Sequence, residues 1–356
     1  MENKRVIKLR QALADRKLRA MLVVSPINRR YLSGFTGSAG YVLITENDSY
    51  LLTDFRYMTQ APEQAKGFKV VEHASNVMDT VKEILDGQQI REVGFEQDNV
   101  TFGTYQSYKE RLAPIDMVPV SGIVEQIRMF KDDEELAVMQ RAADLADATF
   151  EHILGFIKPG VTERELDLEM EFFMRKQGAT SSSFDTIVAS GERSAMPHGV
   201  ASSKKVQANE LITFDFGALL DGYCSDLTRT VATGNPVPQL REIYDIVLEA
   251  QLHTLEHIKP GMTGREADAL ARDIITRHGY GEQFGHSTGH GLGMEVHESP
   301  RLSKLSDDIL KPGMVVTVEP GIYLPGLGGV RIEDDIVITE SGITVLTHSS
   351  KQFTVV

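Results

Sequence analysis

The chain of 356 residues is too long for one ordinary hydrophobic core, so we expect two domains. Its hydrophobic content of 41% and charged content of 25% are typical of a soluble globular protein, and no apolar run approaches the ~20 residues that a membrane span requires. The formal net charge of -14, which no local basic cluster offsets, argues against nucleic acid and anionic membranes as partners.

The N-terminal segment and the single cysteine bear on the compartment. Residues 1–21 (MENKRVIKLRQALADRKLRAM) have the pattern of a charged amphipathic helix and lack the continuous apolar core of a secretory signal. Cys224 has no second cysteine to pair with, so nothing indicates an oxidising compartment. We expect a cytoplasmic protein in which Cys224 is a small buried hydrophobe, an interpretation favoured over a nucleophile.

Residues 1–123 alternate short apolar strands with helical stretches, which predicts an α/β N-terminal domain. A run IVEQIRMFKDD (123–133) then leads into a long helical pattern, and we place the boundary at 123/124. The expected elements are strands at residues 20–25, 40–45, 50–53, 69–71, 92–95 and 117–120, and helices at residues 5–19, 75–86 and 101–112.

The remaining part, residues 124–356, contains an internal repeat. Residues 157–168 read IKPGVTERELDL and residues 258–269 read IKPGMTGREADA, each after a long amphipathic helical pattern. In each copy a threonine followed three residues later by a glutamate has the spacing of a capping box, in which both side chains satisfy free amide groups at a helix start. The capping pairs are Thr162 with Glu165 and Thr263 with Glu266.

After each helical pair comes a small-residue stretch with a histidine, and then an apolar strand that contains an acid. The first copy reads MPHG and later LITFDFG, and the second reads MEVHE and later VVTVEPG. The repeat spacing of roughly 100 residues is too long for a solenoid. We therefore predict an α+β pseudo-twofold-repeated domain with its site at the seam between the halves.

Two acids in the first copy are candidates for chemistry. Asp215 lies inside LITFDFGA and Asp226 inside YCSDLTRTVA, and a hairpin between these strands would bring both carboxylates together. An isolated buried carboxylate is costly unless it has a partner. For one such acid a structural ion pair, for example with Arg229, remains an equal alternative.

Two further acids change this balance. Glu319 follows MVVTV, and Glu333 lies in GVRIEDDIVIT, where we expect Arg331, Glu333 and Asp335 to alternate on one side of a single strand. Four acids in apolar strands outnumber the nearby cations. A metal cluster would supply the missing positive charge.

Three histidines fall within twelve residues, in FGHSTGHGLGMEVHE. His286 and His290 have the spacing of a zinc-binding helix, but four interspersed glycines make a regular helix improbable. We predict an irregular glycine-rich loop whose backbone approaches a ligand closely. His297, seven residues after His290, completes the group.

The donor set also indicates the metal. Four carboxylates and one imidazole suit Mn²⁺ or Co²⁺ and suit Zn²⁺ less well. Two divalent ions would balance the four negative charges, whereas one would leave about two of them uncompensated. Two ions about 3.5–4 Å apart lower the pKa of a shared water, which is hydrolytic chemistry.

Five motifs, in this order, resemble those of the pita-bread metallopeptidases, in the branch of prolidase and aminopeptidase P. They are MPHG (196–199), DFG with YCSDLTRT (215–230), GHSTGHGLGMEVHE (285–298), VEPGIY (318–323) and VRIEDD (330–335). The similarity covers essentially the whole chain, since NRRYLSGFTGSAG (28–40) and LLTDFRY (51–57) resemble that branch's N-terminal domain.

The resemblance implies roles for particular residues. Asp226 and Glu333 would bridge two metal ions, Asp215 would complete one ion, and His290 with Glu319 would complete the other. Glu319 would also shuttle a proton. The substrate and transition-state shell would consist of His198, His286, His297 and Arg331. The resemblance further implies a homodimer in which the N-terminal domain helps to wall the site. Tyr31, Phe35, Phe55 and Tyr57 are either core residues of that domain or candidates for contact with the substrate.

The implied reaction is hydrolysis of the peptide bond before proline, in a small peptide. The short chain favours Xaa-Pro dipeptides, and the alternative is an aminopeptidase P that acts on longer Xaa-Pro peptides. A methionine aminopeptidase would leave residues 1–120 unexplained. A non-catalytic binding module, or a metal-free hydrolase like creatinase, predicts lost metal acids, and none is missing.

Overall fold

The computed structural model describes residues 3–73 and 75–356. The chain divides into two compact units, Met1–Arg128 and Met129–Val356. Ile123, the predicted end of the first domain, begins the last helix of the first unit. In the described ranges, no helix combines the length and apolar character that crossing a bilayer requires.

The first unit contains a six-stranded mixed sheet in the order β4-β3-β2-β1-β5-β6. Neighbours β1–β2 and β2–β3 are antiparallel, and the other three pairs are parallel. All six predicted strands are present, with ends shifted by at most two residues. The strands are β1 (Ala20–Val23), β2 (Tyr41–Thr45), β3 (Ser49–Thr53), β4 (Lys69–Glu72), β5 (Glu92–Glu96) and β6 (Asp116–Val120).

Helices join these strands, and the α/β prediction for the N-terminal part is confirmed. They are α1 (Lys4–Asp15), α2 (Pro26–Ser33), α3 (Gln60–Gln64), α4 (Val77–Gly87), α5 (Phe102–Leu112) and α6 (Ile123–Arg128), with a 3₁₀ turn at Phe55–Tyr57. The first helix was predicted to reach residue 19, which is wrong: it ends at Asp15, and Lys17 adopts a φ of 60° that a helix cannot continue.

Helix α2 is absent from the elements predicted by the sequence, although its signals are local. The hydroxyl of Ser25 caps the helix by accepting from the amide of Asn28, and Pro26 occupies the first turn. Gly34 ends the helix with a φ of 76°. A Ser-Pro start and a glycine stop, eight residues apart, mark this helix.

The second unit contains two halves, of which the first half spans residues 133–232. It starts with α7 (Asp133–Leu154) and α8 (Glu163–Lys176). Its strands form two small sheets, β12-β9-β8 and β11-β10-β7. Their bounds are β7 (Ser181–Ser182), β8 (Ile187–Ser190), β9 (Leu211–Phe216), β10 (Ala218–Leu220), β11 (Tyr223–Cys224) and β12 (Leu227–Ala232), with a 3₁₀ turn at Gly191–Ala195.

The second half spans residues 238–345 and repeats this order. It starts with α9 (Pro238–His257) and α10 (Gly264–Arg277). A five-stranded sheet, β14-β13-β15-β18-β19, and a hairpin, β16-β17, follow. The strands are β13 (Gly289–Gly291), β14 (Glu298–Leu302), β15 (Val315–Val318), β16 (Gly321–Leu324), β17 (Gly328–Arg331), β18 (Asp334–Ile338) and β19 (Ile343–Val345), with a 3₁₀ turn at Gly281–Gln283.

The predicted capping boxes start the second helix of each half, and both are confirmed. Thr162 accepts from the amide of Glu165, whose carboxylate accepts in return from the amide of Thr162. Thr263 and Glu266 exchange the same two bonds at the start of α10. The α+β prediction of two similar halves is thereby confirmed at the level of its helix pairs.

Candidate metal centre

A cavity of about 630 Å³ in the second unit brings together the predicted metal ligands, histidines and Arg331. It is bordered on one side by the first half and on the other by the second half. The predicted residues that line it are His198, Asp215, Asp226, His286, His290, His297, Glu319, Arg331 and Glu333.

Two adjacent antiparallel strands of the first half supply Asp215 and Asp226. Phe214 and Phe216 of β9 pack in the apolar core under α7 and α8, so the intervening Asp215 points to the opposite face. Asp226 directly precedes β12, whose Thr228 pairs with Asp215 across the two strands. The pairing of β9 with β12, interrupted by the short β10–β11 hairpin, therefore brings the carboxylates to one face.

The second half supplies His290 from β13 and Glu319 from the end of β15. A Cβ atom on Gly289 would lie 1.9 Å from the carbonyl oxygen of Thr317, so only glycine allows β13 to lie this close to β15. The amide of His290 donates to the Thr317 hydroxyl at 3.1 Å. The predicted irregular loop therefore contains a short strand at its metal-ligand candidate.

Glu333 occupies a break between two strands, which corrects the single strand expected through GVRIEDDIVIT. Arg331 ends β17, which pairs with β16, and Asp335 lies in β18, which pairs with β15. The amide of Glu333 donates to the carbonyl of Thr228 at 3.1 Å, so this residue is held against β12. The break directs the Glu333 carboxylate into the cavity.

The ligand atoms of Asp226, His290 and Glu333 all lie within 4.8 Å of one another, and all three side chains are buried. The Nε2 atom of His290 is 3.7 Å from Oδ2 of Asp226 and 3.4 Å from Oε1 of Glu319. Asp215 joins the group through Arg331, which donates to its Oδ2 atom. These five side chains form the candidate metal-ligand set.

Burial and mutual repulsion disfavour the charged forms of Asp226 and Glu333. Burial, followed by repulsion from Glu333 and Asp215, raises the pKa of Asp226 well above its ordinary value. Burial and the negative charges of Glu319 and Asp215 do the same to the pKa of Glu333. A cluster of this kind is stable in its charged form only when cations neutralise it.

Among the described residues, Arg331 is the arginine or lysine that pairs with an acid of this set. Its guanidinium pairs with Asp215 and donates to the hydroxyl of Tyr323 at 2.7 Å and to that of Thr228 at 3.2 Å. The alternative pairing of Asp215 with Arg229 is wrong, because Arg229 pairs with Asp334 at 2.8 Å. One arginine cannot balance four acids.

His290 is prepared to act as a ligand. Its Nδ1 atom lies 3.1 Å from the carbonyl oxygen of Gly291, which can only accept, so Nδ1 carries the hydrogen. Burial lowers the pKa of His290, which favours the neutral imidazole. The unprotonated Nε2 atom then faces the carboxylates, in the arrangement that metal-binding histidines adopt.

A direct test of the fit is whether buried oxygens lack partners. The Oδ1 atoms of Asp215 and Asp226 are buried and accept no hydrogen bond from the described residues. Buried carboxylate oxygens without a donor are destabilising unless a cation coordinates them. The oxygen-rich donor set fits divalent cations of the Mn²⁺ or Co²⁺ type.

The three other predicted histidines line the cavity outside this set. His198, on the loop after the 3₁₀ turn at Gly191–Ala195, and His297, before β14, are exposed at its rim. The Nε2 atom of His286 lies 2.8 Å from the hydroxyl of Tyr323, and its Nδ1 lies 3.9 Å from Glu319. The imidazoles of these histidines can donate to or accept from a substrate.

Four contributors to the site were missed as site residues in the sequence analysis. Thr228 donates to Glu333 at 2.6 Å, and Asp335 accepts from the amide of Asp226 at 2.9 Å. Tyr323 links His286 to Arg331, and Arg301 lines the cavity. Thr228 was detectable, because it lies two residues after Asp226 and so shares its side of the strand.

Cys224 does not line the cavity, and its thiol is buried beside the carbonyl of Met294 at 3.9 Å. Burial raises the pKa of Cys224 to about 12, so the group is a thiol at neutral pH. The interpretation of Cys224 as a small buried hydrophobe is supported.

Each of the two units matches a known protein family. Residues 137–340 match the model of metallopeptidase family M24, and residues 5–130 match that of the creatinase/prolidase N-terminal domain. The chain is 38% identical over 349 residues to an Xaa-Pro dipeptidase of Pyrococcus furiosus, covering 98% of this chain and 99% of that protein.

Solved structures are similar over nearly the full length. An Xaa-Pro dipeptidase from Bacillus anthracis matches with a TM-score of 0.97 and 53% identity, covering 99% of each chain. An X-Pro aminopeptidase from Thermotoga maritima matches with a TM-score of 0.91 and 40% identity, covering 95% of this chain and 97% of that one.

Proposed function

The chain belongs to metallopeptidase family M24, as its motifs predicted, and we propose that it hydrolyses the peptide bond before proline in Xaa-Pro dipeptides. The observation that carries the proposal is the buried cluster of Asp226, His290 and Glu333, whose ligand atoms converge within 4.8 Å. The names of the relatives from Pyrococcus furiosus and Bacillus anthracis support the substrate class.

We propose that two divalent ions, Mn²⁺ or Co²⁺, bind in this cluster. Asp226 and Glu333 would bridge them, Asp215 would complete one coordination sphere, and His290 with Glu319 would complete the other. When bound, the ions supply a Lewis acid that polarises the scissile carbonyl and lowers the pKa of the attacking water. The partnerless Oδ1 atoms and the neutral imidazole support this assignment.

The chain's own residues would handle protons and substrate. Burial raises the pKa of Glu319, which suits a carboxylate that takes a proton from water and delivers it to the leaving nitrogen. His198 and His297, at the rim, would hydrogen-bond to the substrate and to the oxygen that becomes negative in the transition state. His286 and Arg331, joined through Tyr323, would orient the substrate.

Proline in the second position fits this site physically. Its ring is rigid, so burying the ring freezes no flexible side chain. Its nitrogen carries no hydrogen after peptide formation. Arg331 is a candidate to anchor the free carboxylate of a dipeptide by a bidentate contact.

An aminopeptidase acting on longer Xaa-Pro peptides is the second candidate. A further cavity of about 980 Å³ shares His286, Ser287 and Arg301 with the site cavity, so a longer peptide has room beside the metal centre. The similarity to an X-Pro aminopeptidase from Thermotoga maritima supports the same alternative.

We also propose that the protein is a cytoplasmic homodimer. The single cysteine, which has no second cysteine in the chain to pair with, supports the compartment. The homodimer rests on the resemblance to prolidase-type enzymes. Sedimentation of the purified chain tests this assembly, and a monomer at assay concentration would contradict it.

Metal-depleted protein, reloaded with Mn²⁺ or Co²⁺, should be assayed on Ala-Pro, Ala-Pro-Ala and Ala-Ala. We expect kcat/KM to fall in that order, with Ala-Ala far below the two proline peptides. A preference for Ala-Ala would overturn the proline assignment, and a preference for Ala-Pro-Ala would select the aminopeptidase. Full activity in metal-depleted protein would refute the metal mechanism.

A further inference from the structure

We propose that Arg229 and the 346–351 segment are positioning elements for the metal centre, setting its affinity for metal without contacting the cavity. The proposal rests on the assignment of Asp226 and Glu333 as metal ligands. Two chains of hydrogen bonds, called links below, run from the segment to the backbones of these two acids. One passes through Arg229 and the other through Asp335.

The first link runs through Arg229, whose side chain is 1% exposed. Its guanidinium donates to the carbonyl oxygens of Thr228, at 2.9 Å, and of Glu333. It also donates to the carbonyl oxygens of Ser349, at 2.7 Å, and Ser350, at 3.2 Å. One planar cation thus joins the backbone at a metal-ligand candidate to the 346–351 segment.

Thr228 carries this constraint to the Glu333 carboxylate. Its carbonyl accepts from Arg229, while its hydroxyl donates to Oε2 of Glu333 at 2.6 Å. Both the backbone and the side chain of Glu333 are therefore fixed by groups that Arg229 holds. A displacement of the guanidinium would move the carboxylate that we assign as a bridge.

The second link runs through Asp335 to Asp226. The amide of Asp226 donates to Oδ2 of Asp335 at 2.9 Å. The amide of Asp335 donates to the hydroxyl of Thr347 at 3.2 Å, and its carbonyl accepts from the amide of Leu346 at 2.8 Å. The 346–351 segment therefore reaches the backbone of the second bridging acid as well.

Asp334, adjacent to Glu333, supplies the negative charge that pairs with the Arg229 guanidinium. Its carboxylate is fully buried but does not line the cavity, and it accepts from Arg229 at 2.8 Å, Gln251 at 2.8 Å and Lys351 at 3.1 Å. A buried ion pair adds little net stability compared with apolar packing, so we assign this pair the role of fixing geometry. The planar fork of arginine fixes several oxygens at once, which lysine cannot.

The metal-depleted full-length protein is titrated with Mn²⁺ alone by calorimetry, and its melting temperature is measured in parallel. In Arg229→Lys, which keeps the charge, we expect the weaker of the two ions to bind about 10- to 100-fold less tightly. Thr347→Val removes one hydroxyl at similar volume and should weaken it about threefold. The milder variant decides the question if Arg229→Lys does not fold.

Met170→Ala is the matched control, because Met170 is fully buried in the core under α8 and bonds to neither link. It should lower the melting temperature and keep wild-type Mn²⁺ affinities. If both test variants bind both ions with wild-type constants, the positioning role is wrong while the proposed function stands. Wild-type protein that binds no Mn²⁺ would overturn the proposed function as well.

Discussion

The two halves of the second unit share a scaffold and differ in chemistry. Each half begins with a long helix and a second helix that a Thr–Glu capping box starts. The first half contributes two aspartates, Asp215 in β9 and Asp226 directly before the adjacent strand β12. The second half contributes a histidine and two glutamates from a glycine-rich strand, a strand end and a strand break.

This difference indicates which parts of a repeat are constrained. The capping boxes stabilise each half separately, so their chemistry is the same in both. The ligands serve one shared cavity, so each half needs to supply only what the other lacks. Variants of the two capping boxes should therefore change the stability of the protein alike. Loss of a metal-ligand candidate from either half should impair metal binding at the whole centre.

The largest effect should follow from removing, from either half, one of the two acids that we propose as bridging ligands. Asp226→Asn and Glu333→Gln should each lower kcat/KM by on the order of 10³ or more, since several kcal/mol of charge stabilisation are lost and each 1.36 kcal/mol is tenfold. Each variant should also bind both metal ions less tightly, as measured by calorimetry. Asp221→Asn, at an exposed acid of the first half, is the control. If one half's variant kept its activity, the shared centre would be disproved.

Variants of the two rim histidines, one from each half, should have the second-largest effect. His198→Ala in the first half and His297→Ala in the second should each lower kcat by roughly 10²–10³, because each would lose the hydrogen bond that we propose it makes to the transition state. Metal content, measured on the same samples, should stay at the wild-type value. Unchanged kcat in either variant would remove that histidine from the catalytic set.

Tyr323→Phe tests a contact that belongs to the second half alone. The hydroxyl bonds to His286 and Arg331 at 2.8 and 2.7 Å, so its loss should lower kcat/KM roughly tenfold. Tyr280→Phe, which loses an exposed contact to Glu242 at 3.3 Å, is the matched control and should retain wild-type activity. Equal effects of both variants would show that Tyr323 does not orient the site.

The smallest effect should be the same in both halves. Thr162→Ala and Thr263→Ala each remove a helix cap, and each should lower the free energy of unfolding by about 1 kcal/mol. Urea unfolding measures this, with Thr→Ser at each position as the control that keeps the cap. The double variant should lose the sum of both effects, because the caps share no partner. Clearly unequal losses would argue against equivalent scaffolding.

The sequence predicted the strands of the first unit, both capping boxes and the candidate ligand set, while the comparisons with relatives bear out the family. It missed α2 because the Ser25–Pro26 start was not recognised, and it extended α1 beyond Asp15. It also joined β17 and β18 into one strand, since the apolar alternation continues through Ile332 and Glu333 without a turn residue.

The sequence by itself determined the elements whose signals are local. A capping box, a turn glycine or an acid within an apolar run acts on its neighbours along the chain, so its type and spacing suffice. Only the tertiary structure decided which cation meets which acid. Arg331, rather than Arg229, reaches Asp215, because the register of β9 with β12 and the break at Glu333 set the side-chain directions. Such pairings depend on strands far apart in sequence, and a one-residue shift in register would reverse every side chain.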